Sequence, residues 1–253
     1  MAANMFLSLG IKRGDKVMLV LKRHYQFWFA VLGLHKIGAI AVPAVNQLTK
    51  KDFLYRFKTA EIQALICTVD GDVISNAEEA ISEYSNLKFI MSVNGKIKGW
   101  RCFDEDIKKY SCKINRHGTK CTDPMLLYFT SGTTGMPKMV CHDFTYPLGH
   151  IVTAKYWQSV VPDGLHLTIS DTGWLKSMWG KLYGQWFMEA GIFVCDFDRF
   201  NPANLLPLFS KYQITTFCAP PTMFRLFIKE NIQKYDLSSL KHVTIAGEAL
   251  NPE

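Results

Sequence analysis

Tyr128-Phe129-Thr130-Ser131-Gly132-Thr133-Thr134-Gly135-Met136-Pro137-Lys138 follows directly on the apolar run Met125-Leu126-Leu127. Four hydroxyl side chains and two glycines fall within the six residues 130–135. Gly132 and Gly135 let the backbone take positive φ and approach a ligand closely. Successive N–H groups in such a turn can point inward as a nest for anionic oxygens. Thr130, Ser131, Thr133 and Thr134 add hydroxyl donors, and Lys138 places a full positive charge at the far end. Met136 and Pro137 shape the stretch between. This is the composition of a loop that grips a polyphosphate. It is not a Walker A loop, in which Gly-Lys-Ser/Thr enters a helix, because Met136 and Pro137 separate Gly135 from Lys138. It is not a nucleophile elbow either, since Gly-x-Ser-x-Gly is absent.

Working outward, the chain alternates between short apolar runs and helical stripes. Upstream, strands are expected at Lys16 to Leu21, Ile40 to Val45, Ala64 to Val69 and Lys88 to Val93. Between them, Tyr25 to Lys36 carries Phe27, Val31 and Leu34 on one helical face, with Gly38 to end it. Thr49 and Asp52 read as a capping box before the stripe Phe53, Leu54, Phe57 and Ala60. A further helix is expected over Ala77 to Tyr84. The stretch from Asn94 to Cys121 is rich in Lys, Asp and Gly and reads as a connection between two α/β lobes, approximately 1–121 and 122–253. Beyond the glycine-threonine loop, helices are expected at Pro147 to Trp157, Met178 to Met188, Asn201 to Tyr212 and Thr222 to Lys229. Strands are expected at His166 to Ile169, Ile192 to Cys195, Thr215 to Ala219 and Val243 to Ala246. Such alternation implies crossover connections, hence layered parallel or mixed sheets with flanking helices, an α/β fold.

Composition narrows the functional classes. Of 253 residues 48% are hydrophobic, so a sizeable core forms and disorder is excluded. The net charge of +7 suits a polyanionic ligand, but the Lys and Arg residues are scattered, which argues against nucleic acid as a partner. Seven cysteines at wide spacing, with no Cys-x-x-Cys pair, give neither a disulfide framework nor a zinc site, and no metal ligand set is expected from the residues. No apolar run reaches membrane-spanning length, because His35 and Lys36 interrupt the segment that comes nearest. Met1 to Gly10 does not read as a secretory signal, so the default expectation is the cytoplasm.

The run Thr130 to Lys138 resembles the phosphate-binding signature of the adenylate-forming superfamily, which includes acyl-CoA synthetases, luciferases and the adenylation domains of peptide synthetases. Further segments resemble the medium-chain acyl-CoA synthetase branch. They are His142-Asp143, Tyr146 to His150, Asp171-Thr172-Gly173-Trp174, Trp179 to Trp186, Asp196 to Phe200, Cys218 to Thr222 and Ala246 to Glu253. The resemblance covers essentially the whole chain and is strongest from Met125 onward.

The resemblance implies an ATP-dependent acid:CoA ligase (AMP-forming). It would activate a short- or medium-chain fatty carboxylate as acyl-AMP and transfer the acyl group to CoA, with Mg2+ neutralising the phosphates. Thr130 to Gly135 would hold the β- and γ-phosphates of ATP, and Lys138 would offset their charge. Gly247, Glu248 and Ala249 would line the adenine and AMP pocket. The family often has proline where this chain has Ala249, which removes a rigid φ but keeps a small residue. Trp174 matches a movable aromatic gate at the carboxylate, and Trp179 and Gly180 match the acyl pocket. His142 and His150 are expected to order structure, since a carboxylate is already ionised at neutral pH and needs no protein base.

Family members continue past the motif that ends at Glu253, into a Tyr-Gly-x-Thr-Glu segment, a ribose-binding aspartate, a hinge and a small domain bearing the catalytic lysine. The resemblance therefore implies an incomplete N-terminal AMP-binding domain, from a truncated product or a partial sequence, with little or no synthetase activity by itself. Two alternatives stand beside it: an amino-acid or aryl adenylation enzyme of the same superfamily, and a degenerate nucleotide-binding fragment without catalysis. Oligomeric state is not legible in the sequence.

Overall fold

Five-residue runs of buried apolar side chains cannot be satisfied by a sheet with one wet face, and the chain buries them between helices. The computed structural model describes residues 1–115, 118–130 and 135–249. The strands are β1 Lys16–Val20, β2 Ile40–Pro43, β3 Ala64–Thr68, β4 Phe89–Val93, β5 Arg101–Cys102, β6 Pro124–Thr130, β7 Lys138–Asp143, β8 Leu165–Thr168, β9 Gly191–Phe193, β10 Thr216–Ala219 and β11 His242–Ile245. They form two sheets, ordered β5-β4-β3-β1-β2-β6-β7 and β11-β10-β8-β9. Among the described residues every pairing is parallel except β6 with β7. β2 and β3 are buried along their whole length, as expected of parallel strands covered on both faces.

Two compact units result, 1–145 with 172–174, and 146–171 with 175–253. The first sheet belongs to the former and the second sheet to the latter. The boundary lies later than position 121 because β6 and β7 join the first sheet through β2.

In the first unit, the helix Gln26–Ile37 ends at Gly38, which takes φ 72°. Gly38 N–H donates to His35 O and Ala39 N–H to Leu34 O, a closing turn that needs the left-handed conformation glycine supplies. The helix Lys50–Ala60 begins in the expected capping box, with Thr49 and Asp52 exchanging hydrogen bonds. Its Phe53 and Phe57 sink fully into a core built on Met18, Val42, Leu65 and Leu127. The helix expected at Ala77 to Tyr84 starts earlier, at Val73, and ends at Ile81.

The stretch from Asn94 to Cys121 is not a connector between lobes. β5 pairs with β4 and extends the first sheet, while Trp100 and Phe103 are buried beside it. The Asn4 amide also clamps this stretch, donating to Ser111 O and Lys113 O at 2.7 Å. Two aromatic anchors within a polar run fix the segment, and composition averaged over the run conceals them.

The second unit packs Leu205, Leu206 and Phe209 of the helix Pro202–Tyr212 against Leu167 of β8 and Phe217 of β10. The helix expected over Met178 to Met188 is two short pieces, Leu175–Gly180 and Tyr183–Phe187. The helix Tyr146–Val152 continues into a π-helical turn, Thr153–Trp157. Among the described residues no helix is long and apolar enough to cross a membrane.

One buried polar cluster crosses the second sheet. His166 of β8 is bonded through Nδ1 to Thr216 Oγ1 at 2.7 Å and through Nε2 to Thr168 Oγ1 at 2.8 Å. Burial, reinforced by the positive charge of Lys181, lowers the His166 pKa from 6.5 to about 3. Lys181 Nζ donates to Ser170 O at 2.6 Å.

Two stability predictions follow from these contacts. Thr49→Ala removes the side-chain acceptor at the start of Lys50–Ala60 and is expected to cost about 1 kcal/mol, read as a lower urea midpoint. His166 stays neutral in the folded chain, so between pH 6.5 and about 3 the unfolded chain holds the extra proton and stability falls as pH falls. At pH 5 the loss is on the order of 2 kcal/mol. His166→Gln removes this component, so its urea midpoint is expected to drop less between pH 7 and pH 5 than that of the parent.

Candidate active site

The antiparallel pair β6–β7 sets Thr130 directly opposite Lys138 and Phe129 opposite Met139. The glycine-threonine loop is thus the connection of a hairpin at the edge of the first sheet, at the carboxyl end of β6. β7 has little apolar patterning and no fully buried residue, which is why the sequence alone does not show it as a strand. Ser131, Gly132, Thr133 and Thr134 lie outside the described residues. Gly135 takes φ 94°, and among the described residues beyond its chain neighbours no atom lies within 4 Å of where its Cβ would stand. That positive φ is a conformation that favours glycine. Met136 is exposed. Lys138 is exposed and, among the described residues, in no ion pair. Thr130 Oγ1 donates weakly to Lys138 O at 3.5 Å.

The base of the hairpin is fixed from the helix Lys50–Ala60. Tyr55 donates its hydroxyl to Pro137 O at 2.8 Å and meets Phe129 edge-on at 6.0 Å. The Arg56 guanidinium lies 5.1 Å from the Phe129 ring centroid, a cation–π contact. Burial lowers the Arg56 pKa, opposed by Asp52. No local pattern points to Tyr55, because its partner stands 82 residues away.

The strand that carries the loop also holds Trp174. Buried Tyr128 of β6 donates its hydroxyl toward Thr172 O at 3.3 Å and Trp174 O at 3.4 Å. The Thr172 hydroxyl donates to Lys22 O. A Cβ on Gly173 would stand 2.2 Å from Val45 N, so only glycine permits this backbone to lie against that following β2. Trp174 is 60% exposed. The loop residues and Trp174 thus belong to one unit, and the remaining expected site residues to the other.

In the second unit, Trp179 sits in an aromatic group. His150 stacks on it at 6.4 Å and 20°, and Trp157 lies 5.7 Å away. Tyr146 meets His150 at 4.5 Å, and burial raises the Tyr146 pKa. Gln185 Nε2 donates to Trp179 O at 3.1 Å. Gly180 has a packing reason for its identity: a Cβ there would stand 2.8 Å from Thr168 Oγ1. His150 Nδ1 is 3.4 Å from Thr153 Oγ1 within its own helical run, and burial lowers the pKa of His142 in β7.

Gly247, Glu248 and Ala249 follow β11. Gly247 takes φ 110°. Glu248 accepts hydrogen bonds from the backbone N–H and the hydroxyl of Thr222, at 3.2 and 2.5 Å. Lys176 donates to Ala246 O at 2.5 Å. Thr222 lies in a quoted motif, but nothing in the sequence marks Lys176.

A sequence model of the family described as AMP-binding enzyme matches residues 1–253. The acyl-coenzyme A synthetase ACSM3, mitochondrial, of Homo sapiens is 36% identical over 250 residues, covering 97% of this chain and 42% of that protein. The acyl-coenzyme A synthetase ACSM5, mitochondrial, of Homo sapiens is 36% identical over 249 residues, with the same 97% and 42% coverage. Among solved structures, that of the anthranilate CoA ligase AuaEII in complex with anthranoyl-AMP superposes with a TM-score of 0.91 at 23% identity, covering 98% of this chain and 48% of that one. The chain therefore spans less than half the length of these relatives. Both human relatives are mitochondrial, which overturns the cytoplasmic expectation. That expectation rested on the lack of a membrane span and of a secretory signal, and neither separates cytosol from mitochondrion.

Proposed function

Because the chain belongs to the AMP-binding enzyme family, we propose that it supplies the nucleotide- and acyl-binding part of an AMP-forming acid:CoA ligase. The observation that carries the reading is the β6–β7 hairpin, which frames residues 131–137 between Thr130 and an exposed Lys138. In the proposed reaction a carboxylate oxygen attacks the α-phosphorus of ATP. The bond from that phosphorus to the β-bridging oxygen breaks, pyrophosphate departs and acyl-AMP forms. The thiol of CoA then attacks the acyl carbon, and AMP leaves.

Negative charge grows on the leaving pyrophosphate, and donors already aimed at it lower the barrier. Thr130 offers a hydroxyl, Gly135 a backbone in a conformation open to close approach, and Lys138 a charge. Ser131, Gly132, Thr133 and Thr134 complete the grip in this reading, with Met136 and Pro137 setting its shape. At the turn end of the hairpin, Thr130, Gly135 and Lys138 offer hydroxyl, amide and ammonium donors, which suit phosphate, and no described carboxylate that would hold a cation. Magnesium would therefore arrive with the polyphosphate, whose charge it neutralises.

Gly247, Glu248 and Ala249 are assigned to AMP, and Trp174 to the gate at the carboxylate. Trp179 is assigned to the acyl wall, with Gly180 allowing its helix to lie against β8. The aromatic group around Trp179 supports an apolar acyl chain, hence a fatty acid of short or medium length. The mitochondrial relatives support a place in mitochondrial fatty acid metabolism.

Titration calorimetry tests the phosphate assignment. Lys138→Ala is expected to weaken ATP binding about tenfold, the equivalent of one charge-assisted contact. Equal affinity in the variant and the parent would contradict it. Non-hydrolysable acyl-adenylate analogues test the acyl class: the octanoyl analogue is expected to bind more tightly than the benzoyl or aminoacyl analogues, and preference for either of those would move the substrate to the aryl or amino-acid class.

A further inference from the structure

The turn after β11 is held from two sides, within one compact unit. Ala246 N–H donates to Ala219 O at 3.2 Å and extends the β10–β11 ladder by one bond. Lys176 Nζ then donates to Ala246 O at 2.5 Å. Gly247 turns away at φ 110°, and a Cβ placed on it would lie 3.6 Å from Lys176 Nζ. Glu248 next accepts from both the N–H and the hydroxyl of Thr222. Thr222 stands in the first turn of the helix Pro221–Ile228, whose N-cap residue Pro220 makes no side-chain cap hydrogen bond. Glu248 therefore caps that helix from a distant point in the chain.

Neither commitment is free. Lys176 gives up side-chain freedom and partial hydration to hold one backbone carbonyl. Burial lowers its pKa, with Cys218 and Glu248 acting in the opposite direction. Three anchors in three consecutive residues, 246–248, fix a glycine-containing turn that would otherwise sample many conformations.

We propose that Lys176 and Glu248 are positioning residues, a two-sided latch that presets the Ala246–Gly247–Glu248 backbone for docking of AMP. The proposal rests on the reading that Gly247 to Ala249 contact the nucleotide. The latch lowers the ordering cost of binding by shaping the turn beforehand.

Two measurements on the 253-residue chain test it: hydrogen–deuterium exchange over residues 242–249, and titration with AMP and with pyrophosphate. The variants are Lys176→Met, Lys176→Arg and Thr222→Val, the last acting from the other end of the latch should Lys176→Met fail to fold. Lys176→Met and Thr222→Val are expected to accelerate exchange in this segment and to weaken AMP binding about tenfold, as loss of a charge-assisted hydrogen bond does. Pyrophosphate affinity should stay at the parent value, and Lys176→Arg should restore both readouts. Parent-like exchange and parent-like AMP affinity in Lys176→Met and Thr222→Val would overturn the latch. Faster exchange with unchanged AMP affinity, or a parent that binds pyrophosphate but not AMP, would instead overturn the assignment of this turn to the nucleotide, and the proposal with it.

Discussion

The antiparallel pairing of Thr130 with Lys138 is the constraint on which the first unit's site depends. Every other strand pairing among the described residues is parallel, and parallel neighbours need long crossovers that carry the chain to the opposite end of the sheet. A hairpin brings it straight back. The connection between β6 and β7 therefore stays at the carboxyl ends of the parallel strands, the edge at which open α/β sheets bind ligands. The same strand contributes Tyr128, so one short apolar run positions both the glycine-threonine loop and the backbone of Trp174.

Support for this hairpin comes from far along the chain. Tyr55 and Arg56 reach it from one face of a helix whose start is fixed by a capping box. Gly173 lies so close to the backbone of Val45 that no side chain fits. In the second unit the same logic operates on a different turn. β11 ends, a glycine takes positive φ, and Lys176 and Thr222 hold the flanking residues. In both units the ligand-facing candidates are loop residues at strand ends, while polar side chains from neighbouring elements restrict the backbone.

Elements with strong periodicity were legible in the sequence. β1, β3 and β10 are continuous apolar runs, and the helices Gln26–Ile37 and Pro202–Tyr212 carry plain start or stop residues in Gly38 and Asn201. Elements held by long-range contact were not legible. β7 is a half-exposed edge strand whose side chains alternate little, so its partner β6 defines it. β5 has two residues and depends on Trp100 and Phe103 beside it. The same division runs through the candidate site. Gly135 and Lys138 stand out by residue type and spacing and Gly247 only through the family resemblance, whereas Tyr55, Tyr128 and Lys176 act through hydrogen bonds spanning 82, 46 and 70 residues. Gly180, expected in the acyl pocket, has an immediate structural cause in Thr168.

The turn between Thr130 and Lys138 is proposed to receive the tail of a nucleoside triphosphate. The most direct measurement is a crystal structure of the chain with a non-hydrolysable ATP analogue and magnesium. Density is expected for the β- and γ-phosphates inside the β6–β7 hairpin, with the Lys138 ammonium within ion-pairing distance of a phosphate oxygen. Phosphates bound away from the hairpin, with Lys138 still in solvent, would contradict it.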